Sequence, residues 1–138
     1  MTATTSPWSS AAKRILYIEQ NKDCRDVLTY VLGYFGYEVM TAITVAEGLS
    51  LARRERFDAF ILAGRYSDGD GVELCRLIRG FDPHTPILFY SSAAYREDIE
   101  AGMAAGAQQY LTKPTDIEII EQAISRLLAR STGAQAHL

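Results

Sequence analysis

The chain is short of several things, and each shortage removes a class of function. Only two cysteines and two histidines occur in 138 residues. Placed at Cys24, Cys75, His84 and His137, they offer neither a zinc-ligand spacing nor a disulfide framework. Both cysteines fall on the apolar faces of helical patterns and are expected as reduced thiols in the core. His84 lies in a proline-flanked loop and His137 near the end of the chain, so both are expected to face solvent. No apolar run approaches the ~20 residues needed to span a membrane as a helix. Nor is there an excess of basic charge. Fourteen Lys and Arg stand against 17 Asp and Glu, a net charge of −3, and they are spread along the chain. A clustered basic face for nucleic acid is therefore not expected. The opening MTATTSPWSSAAKR has no basic segment leading into an apolar core, so it is not a secretory signal, and the expected compartment is the cytoplasm.

What the sequence does contain is ordinary for one globular domain: 48% hydrophobic and 22% charged residues. Residues 1–12 read as a flexible leader carrying Trp8, which is expected to dock somewhere on the domain surface. Residues 13–130 read as the domain, and 131–138 (STGAQAHL) as a short tail. With tails this short, the chain is expected either to carry no effector domain of its own or to be a piece of a larger protein.

Within the domain, short apolar runs alternate with helical periodicity. ILYI at 15–18 is too short for a helix and reads as a strand. Cys24, Val27, Leu28, Val31, Leu32 and Phe35 then share one helical face, ended by Gly36. A strand over 37–42 is followed by Thr44 and Glu47, the spacing of a capping box. A third strand spans 57–63, and Asp70 with Glu73 repeats the cap spacing for the next helix. Pro83 and Pro86 punctuate the approach to a fourth strand at 87–91. A helix near 95–105 leads to a fifth strand at 108–112. Thr115 and Glu118 then form another capping box, for a helix whose Ile117, Ile120, Ile124, Leu127 and Leu128 share a face.

Five strands alternating with five helices predict an α/β fold of (βα)5 type: a parallel sheet between two helical layers, joined by right-handed crossovers. Strands one, three and four are nearly all apolar, as strands buried on both faces must be. Strands two and five carry Glu38, Gln108 and Gln109, which suits edges. The order is then 2-1-3-4-5, the flavodoxin-like doubly wound sheet.

Such sheets bind their ligands beyond the carboxyl ends of the strands, near the switch point between strands one and three. Glu19 and Gln20 follow strand one, Ala63 ends strand three, Ser91 and Ser92 follow strand four, and Lys113 follows strand five. Asp58 lies too early in strand three to join them. Asp70 is explained as a helix cap, and Asp68–Gly69 as a turn.

YIEQN, DAFILA, Asp70–Gly71, PILFYSS and GAQQYLTKP occur here in order and in register. Over about residues 13–130 this resembles the response-regulator receiver domain of two-component signalling. In that family an acidic pair and a strand-three Asp hold Mg²⁺, and that Asp accepts a phosphoryl group from a histidine kinase. A hydroxyl and a lysine grip the phosphoryl oxygens, and an aromatic residue reports the switch. The resemblance assigns Glu19 and Gln20 to the acidic pair, Ala63 to the acceptor, Ser91 to the hydroxyl, Lys113 to the lysine and Tyr110 to the aromatic. It also implies a cis Lys113–Pro114 bond. Tyr95 and Tyr110 fall near the face of the fourth helix, fifth strand and fifth helix. That face is used in the family for partner or homodimer contacts.

The departures decide the expected function. Alanine has no nucleophilic oxygen for phosphoryl transfer. Magnesium requires hard oxygen ligands in near-octahedral array, and only one carboxylate of three remains. Glu19 is expected to pair with Lys113 or with Arg65, in the space a metal and a phosphoryl group would take. The leading expectation is a degenerate receiver: not an enzyme, using no metal or cofactor, and acting by contact with a histidine kinase, an output domain or a second copy. A second reading moves the acceptor to Asp68. A third makes the crevice a small-ligand site, although its first βα turn, EQNKDC, lacks the glycines of a phosphate cradle.

Overall fold

The computed structural model describes residues 12–136, the last six as backbone only. Trp8, His137 and most of the leader lie outside the described residues. Five parallel strands form one sheet: β1 (Arg14–Ile18), β2 (Glu38–Ala42), β3 (Ala59–Leu62), β4 (Ile87–Ser91) and β5 (Gln109–Thr112). Their spatial order is β2-β1-β3-β4-β5, as the polarity of the edge strands predicts. The connecting helices are α1 (Lys22–Tyr34), α2 (Val45–Arg54), α3 (Gly71–Arg79), α4 (Arg96–Ala105) and α5 (Ile117–Ala136).

Alternation along the central strands builds two separate cores. Leu16, Ile18, Phe60, Leu62 and Phe89 point one way, against Leu51 of α2, Leu74, Cys75 and Ile78 of α3 and Ala105 of α4. Ile15, Tyr17, Ile61 and Leu88 point the other way, against Leu28 and Leu32 of α1 and four apolar residues of α5. The three-layer sandwich follows from this two-sided burial. Each fully buried Ile, Leu or Phe contributes ~1.5–3 kcal/mol of transfer free energy.

Local chemistry sets the helix starts. Thr44 Oγ1 accepts from the Glu47 N–H, the expected cap of α2, while Glu47 Oε1 reaches one residue further back than a capping box requires and accepts from the Ile43 N–H. Asp70 Oδ1 accepts from the Glu73 N–H at the start of α3. The box expected for α5 does not form in that way. The Thr115 hydroxyl donates to the Thr112 carbonyl, and the Asp116 carbonyl accepts the first helical bonds, from Ile119 and Ile120. The helix begins at Ile117, so Asp116 rather than Thr115 stands at the cap position.

Three further points differ from the periodicity. On α1 the expected apolar face is only partly buried: Leu28 and Leu32 are in the core, but Val27 is 56% exposed and Phe35 44%. Leu28 and Leu32 are the residues of the stripe that meet the second core, and positions at its margins stay outside. Ile117 likewise remains exposed at the start of α5. The α5 backbone also continues through Ala136, into the stretch expected as tail.

Between β3 and α3 the chain makes a two-rung antiparallel ribbon, Arg65–Tyr66 against Gly69–Asp70. Gly71 closes it tightly. A Cβ there would sit 2.1 Å from the Ala63 carbonyl oxygen, so only glycine lets α3 start against the end of β3.

Candidate functional site

The carboxyl ends of β1, β3, β4 and β5 open into a crevice of about 520 Å³. Glu19, Gln20, Ala63, Arg65, Ser91 and Lys113 all line it, together with Asn21, Cys24 and Gly64. Each is delivered by the strand ladder. The Glu19 N–H donates to the Ala42 carbonyl and the Lys113 N–H to the Ser91 carbonyl, extending β1–β2 and β4–β5 by one rung. The Lys113–Pro114 peptide is cis.

At the centre is an ion pair. Lys113 Nζ donates to Glu19 Oε1 at 2.8 Å, and the Glu19 side chain is buried. Glu19 Oε2 accepts from the Asn21 N–H at 3.0 Å, and the Tyr17 hydroxyl donates weakly to Oε1. Of the two partners expected for Glu19, Lys113 is the one it meets. Arg65 is exposed at the mouth and forms no ion pair among the described residues. Desolvation pulls the Lys113 pKa down, but the hydrogen bond and charge of Glu19, with a contribution from Cys24, outweigh it and hold the ammonium above its ordinary value.

Cys24 is placed differently from its expected role. It is half-buried in the first turn of α1, with Lys113 Nζ 3.4 Å from its sulfur, and so belongs to the crevice rather than the core. Cys75 is in the core as expected. Gln20 is exposed. Ser91 is buried, its Oγ accepting from the Ala93 N–H. Tyr110 stacks on Phe89 with ring centroids 5.1 Å apart, and its hydroxyl donates to the Ala93 carbonyl at 2.7 Å. Tyr95 is exposed at the start of α4.

Three residues whose roles the sequence reading did not anticipate hold the crevice in shape. Tyr66 folds back beneath the end of β3: its buried hydroxyl accepts from the Ala63 N–H and donates to the Ile18 carbonyl, both at 2.8 Å. Burial raises its pKa well above the usual tyrosine range. Asp68 turns away from the crevice, and its carboxylate accepts from the Val45 and Ala46 N–H groups at the start of α2. Those two hydrogen bonds lower its pKa. Arg25 donates to the carbonyls of Glu19 and Gln20 and fixes the turn after β1. RYSDGD does carry a turn signal, but nothing in its pattern says that the tyrosine is inserted and the aspartate reaches a different helix.

The donor set does not fit a magnesium ion. Glu19 is the one carboxylate at the metal position, with both oxygens engaged and an ammonium at 2.8 Å that would repel a dication. Asp70 and Asp98 also border the crevice, but Asp70 caps α3 and Asp98 Oδ2 accepts from the Tyr95 N–H. Among the described residues no three His, Cys, Asp or Glu side chains are grouped to hold a metal. At the end of β3, Ala63 presents only a methyl group, so no side-chain oxygen is available there for a covalent step.

Comparison with known proteins places this geometry. The family described as "Response regulator receiver domain" matches residues 15–125. Response regulator MprA of Mycobacterium leprae (strain TN) is 34% identical over 118 residues, covering 86% of this chain and 52% of the regulator. Transcriptional regulatory protein PrrA of Mycobacterium bovis is 33% identical over 129 residues, 94% of this chain and 53% of that protein. The chain thus spans about half the length of these relatives. Among solved structures, the CheY-like response regulator receiver domain protein of Methanospirillum hungatei JF-1 superposes with a TM-score of 0.86 at 26% identity, covering 89% of this chain and 98% of that one. With the sheet order, the strand-end crevice and the cis Lys113–Pro114 bond in place, the chain belongs to the response regulator receiver domain family.

Proposed function

We propose that this chain is a receiver that works without aspartyl phosphorylation or magnesium, as a protein-contact module in two-component signalling. The observation that carries the reading is the buried Glu19–Lys113 pair facing a strand end where Ala63 has no oxygen. In this reading the lysine that would grip a phosphoryl group is satisfied internally. The pocket keeps one fixed arrangement of charge. The receiver unit is taken as residues 13–130, working in the cytoplasm. Its partner is a histidine kinase, an output domain or a second copy. The face of α4, β5 and α5, with Tyr95 exposed and Tyr110 half-buried, is the surface offered for that contact.

Two observations weigh against a relocated acceptor. Asp68 is turned onto the N-terminus of α2, and it does not line the crevice. The deciding experiment is incubation with acetyl phosphate and Mg²⁺ followed by intact mass. The mass should stay unchanged. A stoichiometric gain of one phosphoryl group overturns the proposal, and its loss in Asp68→Asn would put the acceptor at that residue.

A further inference from the structure

The C-terminal half of α1 is unusual for a solvent-facing helix. Residues 27–37, VLTYVLGYFGY, carry no charged side chain, and the last turn of the helix holds no basic residue. Tyr30 is 77% exposed and Tyr34 82%, while Tyr34 and Phe35 form an edge-to-face pair with centroids 5.8 Å apart. Aromatic surface of this kind, with no charge interleaved, marks a place that something covers. Lys13 and Arg14, at the start of β1, are close by. Arg14 pairs with Glu38, and the Glu38 N–H donates to the Lys13 carbonyl, so the chain enters the sheet beside the strand that follows α1.

The residues before Ala12, MTATTSPWSSA, likewise carry no charged side chain and hold the one tryptophan of the protein. Reach decides whether the two can meet. Trp8 precedes Arg14 by six residues, roughly 20 Å of extended chain. The path from Arg14 across to Glu38 and back to Phe35 is at most about 15 Å, one strand spacing plus three residues. Counted from Arg14, the contour length to Trp8 exceeds that path.

We propose that the segment before Ala12 folds back on its own domain and seats Trp8 against Tyr34 and Phe35, covering the aromatic end of α1. Neither segment brings a charged side chain of its own into the contact. The covered face lies at the opposite end of the sheet from the crevice, so this contact is separate from the receiver site.

The test uses Trp8 as its own reporter in the full chain. With excitation at 295 nm, its emission should be blue-shifted relative to the urea-unfolded protein, and acrylamide quenching should be several-fold weaker. Tyr34→Ser, at a position open to solvent, should return both readings toward the unfolded values while circular dichroism stays unchanged. Phe35→Ser should do the same. The protection should persist on hundred-fold dilution. Tryptophan emission and quenching at the unfolded values in the unaltered protein overturn the proposal. Protection untouched by Tyr34→Ser and Phe35→Ser overturns the assigned seat, and protection lost on dilution assigns the face to a second copy instead.

Discussion

Lys113 Nζ lies 2.8 Å from Glu19 Oε1, and the two partners are buried unequally: the carboxylate side chain is 5% exposed and the lysine 18%. Removing one partner therefore differs from removing the other. Lys113→Met leaves an ionised carboxylate in the interior without its counter-charge and should cost about 3 kcal/mol, the low end for a broken buried pair. Glu19→Gln leaves a lysine that can turn toward solvent, and should cost less. The double variant should recover part of the Lys113→Met loss. Urea unfolding of the three proteins measures this, and equal losses in the two single variants would contradict the asymmetry.

Tyr66→Phe removes only a hydroxyl, the one between the Ala63 N–H and the Ile18 carbonyl. The Ala63 N–H retains a second, longer bond to the Ile18 carbonyl at 3.3 Å, so neither group is fully orphaned. The expected loss is about 1 kcal/mol. Hydrogen exchange at the Ala63 amide should speed up more than exchange at amides in the middle of β3.

Asp68→Asn tests the tie between the ribbon and α2. The carboxylate accepts from two backbone N–H groups, which hold its folded pKa below the ordinary aspartate value. Its stabilising contribution is present above roughly pH 3.9 and is lost as pH falls through the folded pKa. The variant should melt at a lower temperature than the parent at pH 7, and the difference should close under strong acid. A difference independent of pH would mean that charge is not what Asp68 supplies.

Alkali should unfold the protein through its interior tyrosines. Burial, the largest effect, raises Tyr17 and Tyr66 well above the ordinary tyrosine value, while in the unfolded chain both ionise near pH 10. The native state then holds more protons than the unfolded state, so stability falls as pH rises beyond roughly 10. Lys113 acts in the same direction, because its raised pKa marks an ion pair present below the ordinary lysine value and lost above it. Ultraviolet titration should show two of the eight tyrosines ionising only as circular dichroism reports unfolding.

Rebuilding the acidic cluster is the complementary test. Gln20→Asp with Ala63→Asp would place three carboxylates where Glu19 now stands alone. Their repulsion should lower stability in the absence of metal, and Mg²⁺ should restore it through binding to the folded state. The unaltered protein should show no such magnesium dependence of its melting temperature. Identical magnesium responses in the two proteins would remove the donor count as the explanation.

The architecture was legible because the signals behind it are local and repeated. Apolar β1, β3 and β4 against the polar β2 and β5 specify the sheet order, and Thr44–Glu47 and Asp70–Glu73 mark helix starts with side chains that reach only three residues. The strand-end position of Glu19, Ala63, Ser91 and Lys113 followed from the order itself. What stayed hidden depends on contacts across long sequence separations. Asp68 bonds to Val45 and Ala46, 23 and 22 residues away. Tyr66 reaches Ile18 across 48 residues. Cys24 fits the apolar stripe by spacing, yet at the first turn of α1 it overhangs the crevice instead of the sheet. Thr115 had the right partner three residues on, but the helix begins one residue later than that spacing implies, and the hydroxyl bonds back to Thr112.

The ribbon at 65–70 bears further on how such a domain could inform a partner. It is fastened to β1 through Tyr66, to α2 through Asp68 and to α3 through Asp70. A loop held at three points has little freedom to adopt a second shape. In the reading proposed above, no chemical mark distinguishes one copy of the molecule from another. The quantity a partner can read is then how many copies are present and how many are occupied. Under that proposal the output is metered by abundance, and its tempo is set by synthesis and degradation rather than by the lifetime of a phosphoryl bond.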